Sequence, residues 1–246
     1  MVRAVGLFRS GSPRERLRQR IAFASAKRLL LGQTLRYRQH SSTQPTDLSI
    51  INYQLSTDSM TEPEVTIDPD YLSPTAATEL YSQLRDQIEW DLRISARKTA
   101  CFGLPYNYSG LNYEYQPMHS LLLPLCARLK ETLGFEPNSC LINYYKDGRD
   151  KMGFHSDEID NLEAGTQIII ISLGVDRKLS FRSTTDYSQR LQYLLAHGSL
   201  LYMSQRTQEL WSHAIKRANV LEGRISLTFR RIDPLFVRQP NSNAPC

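Results

Sequence analysis

"MGFHSDEIDNLEAGTQIIIISLG" (residues 152–174) decides the fold. Its second half, "TQIIIISLG" (166–174), is an apolar, β-branched run bounded by Gly165 and Gly174. The run is shorter than an ordinary globular helix and rich in isoleucine, so it predicts a strand buried on both faces. Just ahead of it stand His155 and Asp157, two residues apart. In an extended segment that spacing sends both side chains to one side, as two ligands of one metal require. The same spacing arises often by chance, so it carries no chemistry until a third ligand is found.

Working outward, the signals after residue 138 are mostly β. "SCLINYY", "KLSFRS", "QRLQYLLAHGSLLYMS" and "GRISLTFRRI" are short β-rich runs bounded by Gly, Asp and Ser. The region before them is mainly helical. "EVTIDPDYLSP" predicts a short strand and a turn. Ser73 then stands as N-cap and Pro74 as first residue of a helix over "PTAATELYSQLRDQIEW", whose Ala77, Leu80, Tyr81, Leu84 and Ile88 recur at helical spacing. A second helix follows Pro117, with Leu121, Leu122, Leu125, Leu129 and Leu133 on one face and Gly134 as its stop. Between the two lies a tyrosine-rich loop, "YNYSGLNYEYQP", suited either to stacking on a planar ligand or to covering a core edge. Helices first and strands later give an α+β class with a sandwich or barrel core.

The chain has 246 residues, enough for one large domain or two small ones. No apolar run approaches the length of a membrane-spanning helix, and no membrane partner is expected. The four cysteines show no CxxC and no close pairing, as in reduced thiols of an intracellular protein. The net charge of +5 is unevenly spread: residues 1–59 carry +7, and residues 60–246 carry −2. The body therefore has no overall signature of a polyanion binder. Residues 1–59, rich in Arg and Ser, admit three readings: a mitochondrial transit peptide, a phosphate-tracking basic arm, or a poorly ordered extension. "STQPTDLS" (42–49) reads as its linker to a domain spanning 60–246. The expected location is cytoplasmic or nuclear, or mitochondrial if the segment is a transit peptide.

A third ligand would come from the remaining histidines: His40 lies in the tail, His119 at a helix start, His197 at a turn before Gly198, and His213 in "QELWSHAI" ahead of the last strand. Two histidines and a carboxylate form the facial set that leaves open positions on Fe(II) for a chelating cosubstrate and O2. "GRISLTFRR" adds Arg224 and Arg230, six apart and so on one strand face. Inward guanidiniums need anionic partners, and a dicarboxylate suits them. A zinc hydrolase would share the ligands but have no use for the arginines. A non-catalytic jelly-roll binding module would not be expected to hold a complete ligand set.

With "RKTACFGLPYNYSG", "NYYKDGRDKMGFHSDE", "ISLGVDRKLSFRS", "HGSLLYMSQRTQELWSHAI" and "RISLTFRR" occurring in this order, residues 64 to 232 resemble the AlkB family of Fe(II)- and 2-oxoglutarate-dependent dioxygenases. The resemblance implies a double-stranded β-helix (jelly roll) with helices packed on one side. It implies His155, Asp157 and His213 as iron ligands. Asn143, Tyr145, Arg224, Ser226 and Arg230 fall at positions that contact 2-oxoglutarate, Arg230 also orienting Asp157. Arg97, Tyr106, Tyr108 and Glu158 fall at substrate positions. The implied reaction uses O2 and 2-oxoglutarate to hydroxylate an N-linked methyl group of an alkylated nucleobase, DNA more than RNA, releasing succinate and formaldehyde from a monomeric enzyme. One departure stands out. Nucleic-acid repair members commonly have an acid four residues after the first iron histidine, where this chain has Ile159 between Glu158 and Asp160. A register shift would supply either carboxylate; without one, the substrate is recognised differently, and RNA, protein or a small molecule becomes the alternative.

Overall fold

The computed structural model describes residues 62–106 and 112–237. Tyr108 and all three readings of the N-terminal segment lie outside them. Among these residues, ten strands form two antiparallel sheets. The larger sheet has the order β1 (Val65–Asp68), β8 (Leu200–Ser204), β5 (Gln167–Gly174), β10 (Arg224–Arg230), β3 (Ser139–Tyr145), β2 (Lys98–Gly103). The smaller has β4 (Met152–His155), β9 (Trp211–Ile215), β6 (Arg177–Ser183), β7 (Arg190–Leu195). The helices are α1 (Pro74–Gln87), α2 (Leu123–Leu133) and the short α3 (Gln205–Leu210) and α4 (Pro234–Val237). This is the jelly-roll core of an α+β protein. Among the described residues, no helix is long and apolar enough to cross a membrane.

The isoleucine run becomes β5, in the interior of the larger sheet between β8 and β10, and Ile168 to Leu173 are buried without interruption. Helix α1 packs against it. The Ser73 side chain accepts the Ala76 N–H at 3.3 Å, which satisfies a donor that the first turn leaves open. The helix ends at Gln87, short of the periodic pattern, because Ile88 turns extended and is buried there. Helix α2 starts at Leu123, later than Pro117 suggested, and stops where Gly134 takes φ +66°.

Two expectations need correction. The region before residue 138 is not only helix and a first strand: "KTACFG" forms β2, paired with β3 from Lys98↔Tyr144 to Gly103↔Ser139. His155 and Asp157 do not share a strand. His155 is the last residue of β4, and Asp157 lies in the loop beyond it. Where β5 ends and β10 begins, the two backbones nearly touch. A Cβ on Gly174, which sits at φ +90°, would stand 2.2 Å from the Gly223 carbonyl oxygen, so only glycine fits.

Candidate active site

The inward faces of the two sheets form the walls of a cleft that opens to solvent. On β10 the even positions Arg224, Ser226, Thr228 and Arg230 all line it. Their direct partners on β3 are Tyr145 for Arg224, Asn143 for Ser226 and Leu141 for Thr228, and these line it as well. Alternation along paired strands thus brings all five residues expected to contact the cosubstrate to one wall. The opposite wall is the smaller sheet, which contributes Met152 and His155 from β4 and His213 from β9. Met152 and His155 are an odd number apart, yet both face inward because the β4–β9 pairing shifts register between them.

At the β4–β9 end, His155 pairs directly with His213, and Asp157 swings in from the loop. The Nε2 atoms of His155 and His213 lie 3.5 Å and 3.9 Å from Asp157 Oδ1, and one ligand atom from each of the three residues lies within 4.8 Å of the others. The His155 Nδ1 sits 2.9 Å from the Gly153 carbonyl oxygen, to which it can only donate, and this contact turns Nε2 toward Asp157. Burial is the largest influence on the Asp157 carboxyl and pushes it up. The Arg230 guanidinium and the two histidines outweigh burial and hold it well below the usual carboxylate range. Burial, with His155 beside it, brings the His213 imidazole down to about 3 against the pull of Asp157. A neutral imidazole and an ionised carboxylate are the protonation states in which these groups ligate a metal. Two nitrogens and one hard oxygen, with open space on the cleft side, fit Fe(II).

The two arginines of β10 are in different electrostatic situations. Arg230 donates to Asp157 Oδ2 at 2.6 Å, and its guanidinium carbon lies 3.7 Å from the centroid of the Tyr106 ring. Arg224 is 1% exposed. One of its nitrogens donates to Ser172 Oγ at 2.8 Å and Ser226 Oγ at 3.3 Å. Its Nε and Nη1 are buried with no hydrogen-bond partner among the described residues. Burial, with Arg177 nearby, pulls its pKa down to about 10 against Tyr145, which acts on it by charge and by a hydrogen bond, and no carboxylate acts on it. Such a buried cation fits the far carboxylate of a bound dicarboxylate.

A model of the 2OG-Fe(II) oxygenase superfamily matches residues 64–230. The chain is 31% identical over 202 residues to Alpha-ketoglutarate-dependent dioxygenase alkB homolog 3 of Bos taurus, covering 74% of this chain and 71% of that one. It is 34% identical over 185 residues to DNA oxidative demethylase ALKBH2 of the same species, covering 66% of each. The chain belongs to the AlkB family of that superfamily. It is an Fe(II)- and 2-oxoglutarate-dependent dioxygenase that uses O2. The solved structure of OsALKBH1 superposes with a TM-score of 0.51 at 17% identity, covering 69% of this chain and 99% of that one, and shares the fold.

Two of the substrate positions carried over from the AlkB resemblance, Arg97 and Tyr106, are buried. Arg97 is 6% exposed, and its Nε donates to Asn143 Oδ1 at 2.7 Å, so it braces a cleft residue from behind. Tyr106 is fully buried. Its hydroxyl accepts the Glu158 N–H at 2.8 Å, and its ring covers Arg230. Glu158 and Asp160 point to solvent, and Ile159 is half-buried. The register shift that would exchange them does not occur. The main chain is held at Asp157 by Gln208, at Glu158 by Tyr106 and at Leu162 by the Ile159 carbonyl. Sequence reading missed Gln208 and Ser172. Ser172 could have been found from its even register with Ser226 on β10, whereas Gln208 gives no local signal.

Proposed function

We propose that the enzyme oxidatively removes N-linked methyl groups from alkylated nucleobases, releasing formaldehyde and succinate. The observation that carries this reading is the pairing of an inward His-Asp-His set with an unneutralised arginine in one cleft, in a chain 34% identical to a DNA oxidative demethylase. Bound Fe(II), with 2-oxoglutarate and O2, supplies the oxidant that hydroxylates the methyl carbon. The chain's own residues bind, orient and exclude water. Arg224 takes the far carboxylate of 2-oxoglutarate through its unpartnered nitrogens, with Asn143, Tyr145 and Ser226 beside it on the same wall. Arg230 holds the Asp157 carboxylate to one side, leaving its other oxygen facing the histidines. The cleft takes one reacting group at a time, so a base in a duplex must leave the stack to reach it.

A second reading keeps the chemistry and changes the substrate. The half-buried Ile159, fixed between two solvent-facing acids, gives an apolar position where nucleic-acid repair relatives have a carboxylate, and the described body has no cationic excess. These favour a protein or small-molecule substrate over a polyanion. The test is O2-dependent succinate release with and without a single-stranded oligonucleotide bearing 1-methyladenine, alongside His155→Ala. Stimulated release with formaldehyde, lost in the variant, supports dealkylation of nucleic acid. Turnover of 2-oxoglutarate that ignores the oligonucleotide, together with no formaldehyde, overturns it in favour of the second reading.

A further inference from the structure

The loop that delivers Asp157 to the histidines is tied down from one short helix. The Asp157 N–H donates to Gln208 Oε1 at 2.9 Å, and the Gln208 amide donates to Met203 Sδ at 3.1 Å. One residue earlier, Ser156 Oγ donates to the Trp211 carbonyl at 3.3 Å. Both attachment points belong to the stretch α3–β9, the same stretch that carries His213. Helix α3 is itself fixed. Ser204 caps it by accepting the Thr207 N–H, Thr207 donates to the Glu64 carbonyl, and the Trp211 N–H bonds back to the Thr207 carbonyl. Gln208 is 3% exposed, and its carboxamide spans from a β8 sulfur to a metal-ligand main chain. Leaving that buried N–H without an acceptor would cost about 1–3 kcal/mol. The loop would then find another position.

We infer that Gln208 is a positioning residue for the metal centre: its carboxamide sets where the Asp157 carboxylate stands relative to His213. The inference rests on the His155–Asp157–His213 set being the metal site. Asp157 is thereby held twice, by Arg230 at its carboxylate and by Gln208 at its backbone. Only the second hold comes from the segment that also carries a histidine ligand. Moving α3 moves His213 and Asp157 together, which preserves their separation.

The test uses the full chain without cosubstrate and Mn(II) alone as probe, with the thermal midpoint of the metal-free protein measured in parallel. Gln208→Met keeps the shape and removes the acceptor. Gln208→Asn keeps the carboxamide and withdraws it by one methylene. Met203→Leu disturbs the other end of the same side chain and leaves the acceptor in place. Both Gln208 variants are expected to weaken Mn(II) binding by about 10–100-fold, while Met203→Leu lowers the midpoint and leaves Mn(II) affinity at the wild-type value. If the Gln208→Met chain does not fold, Gln208→Asn decides. Wild-type Mn(II) affinity in the Gln208 variants, or a loss in all three that follows the midpoint, overturns the inference. A wild-type chain that binds no Mn(II), or an Asp157→Ala variant that binds it as tightly as wild type, overturns the metal site itself.

Discussion

At the scale of single residues, Arg224 and Arg230 show that burial alone does not determine what a charge contributes. Both are 1% exposed and both stand on β10. Arg230 has its counter-ion at 2.6 Å. Removing it as Arg230→Met strands the Asp157 carboxylate, so urea unfolding is expected to show a loss of about 3–5 kcal/mol, with metal affinity falling as Asp157 moves. Arg224 has no carboxylate beside it. Its folded-state pKa, about 10, lies below its ordinary value of 12.5, so the folded protein carries the cost of this charge at neutral pH. The cost is relieved only as pH rises through about 10. Arg224→Met is therefore expected to keep or raise the unfolding midpoint. It should also lose charge-assisted bonds to 2-oxoglutarate of about 1.5–3 kcal/mol. Succinate release against 2-oxoglutarate concentration would read this as a KM increase of roughly 10–100-fold. A KM equal to wild type would remove Arg224 from the cosubstrate site.

At the scale of the element, the stretch of β10 between its two arginines separates stability from function by parity. Ile225, Leu227 and Phe229 are fully buried on the face away from the cleft, and Ser226 faces into it. Leu227→Ala is expected to cost about 2–5 kcal/mol of stability with the KM for 2-oxoglutarate unmoved. Ser226→Ala is expected to move the thermal midpoint little, because Ser172 still accepts from Arg224, and to raise that KM roughly 10–100-fold, the loss of one hydrogen bond to a charged group of about 1.5–3 kcal/mol. Midpoint and KM measured on both variants would show the crossing, and parallel effects would contradict it. The same parity explains what could be read from sequence. The spacing of Arg224 and Arg230 and the isoleucine run of β5 are local signals, and both faces came out as expected. "KTACFG" was missed as β2 because it has one β-branched residue and a lysine; its pairing with β3 makes it a strand. The same-side argument for His155 and Asp157 reached the right grouping by the wrong path, since the loop, not the strand pleat, brings Asp157 inward. Gln208 reaches a partner 51 residues away and Arg97 one 46 away, each through a side chain with no periodic signature.

At the scale of the whole molecule, the cleft is a seam between two sheets, and each sheet supplies one end of the ligand site. The metal ligands belong to the smaller sheet and the loop beyond β4, and Arg224 belongs to the larger sheet. A metal chelated by a dicarboxylate whose far end reaches Arg224 would tie one sheet to the other. Ligands that bind only the folded state stabilise it by about 2.7 kcal/mol at one hundred times their dissociation constant. For a domain of this size each kcal/mol moves the midpoint by about 2–4 °C. Mn(II) with 2-oxoglutarate under anaerobic conditions is therefore expected to raise the thermal midpoint by roughly 5–10 °C. Mn(II) alone should give a smaller rise, because it engages one sheet. In Arg224→Met the increment from 2-oxoglutarate should shrink toward zero while the Mn(II) increment persists. In Asp157→Ala both should vanish, since the dicarboxylate then has no metal to chelate. A 2-oxoglutarate increment that survives Arg224→Met at full size would mean that the cosubstrate's far end lies elsewhere in the cleft, and that the unpartnered guanidinium serves another anion.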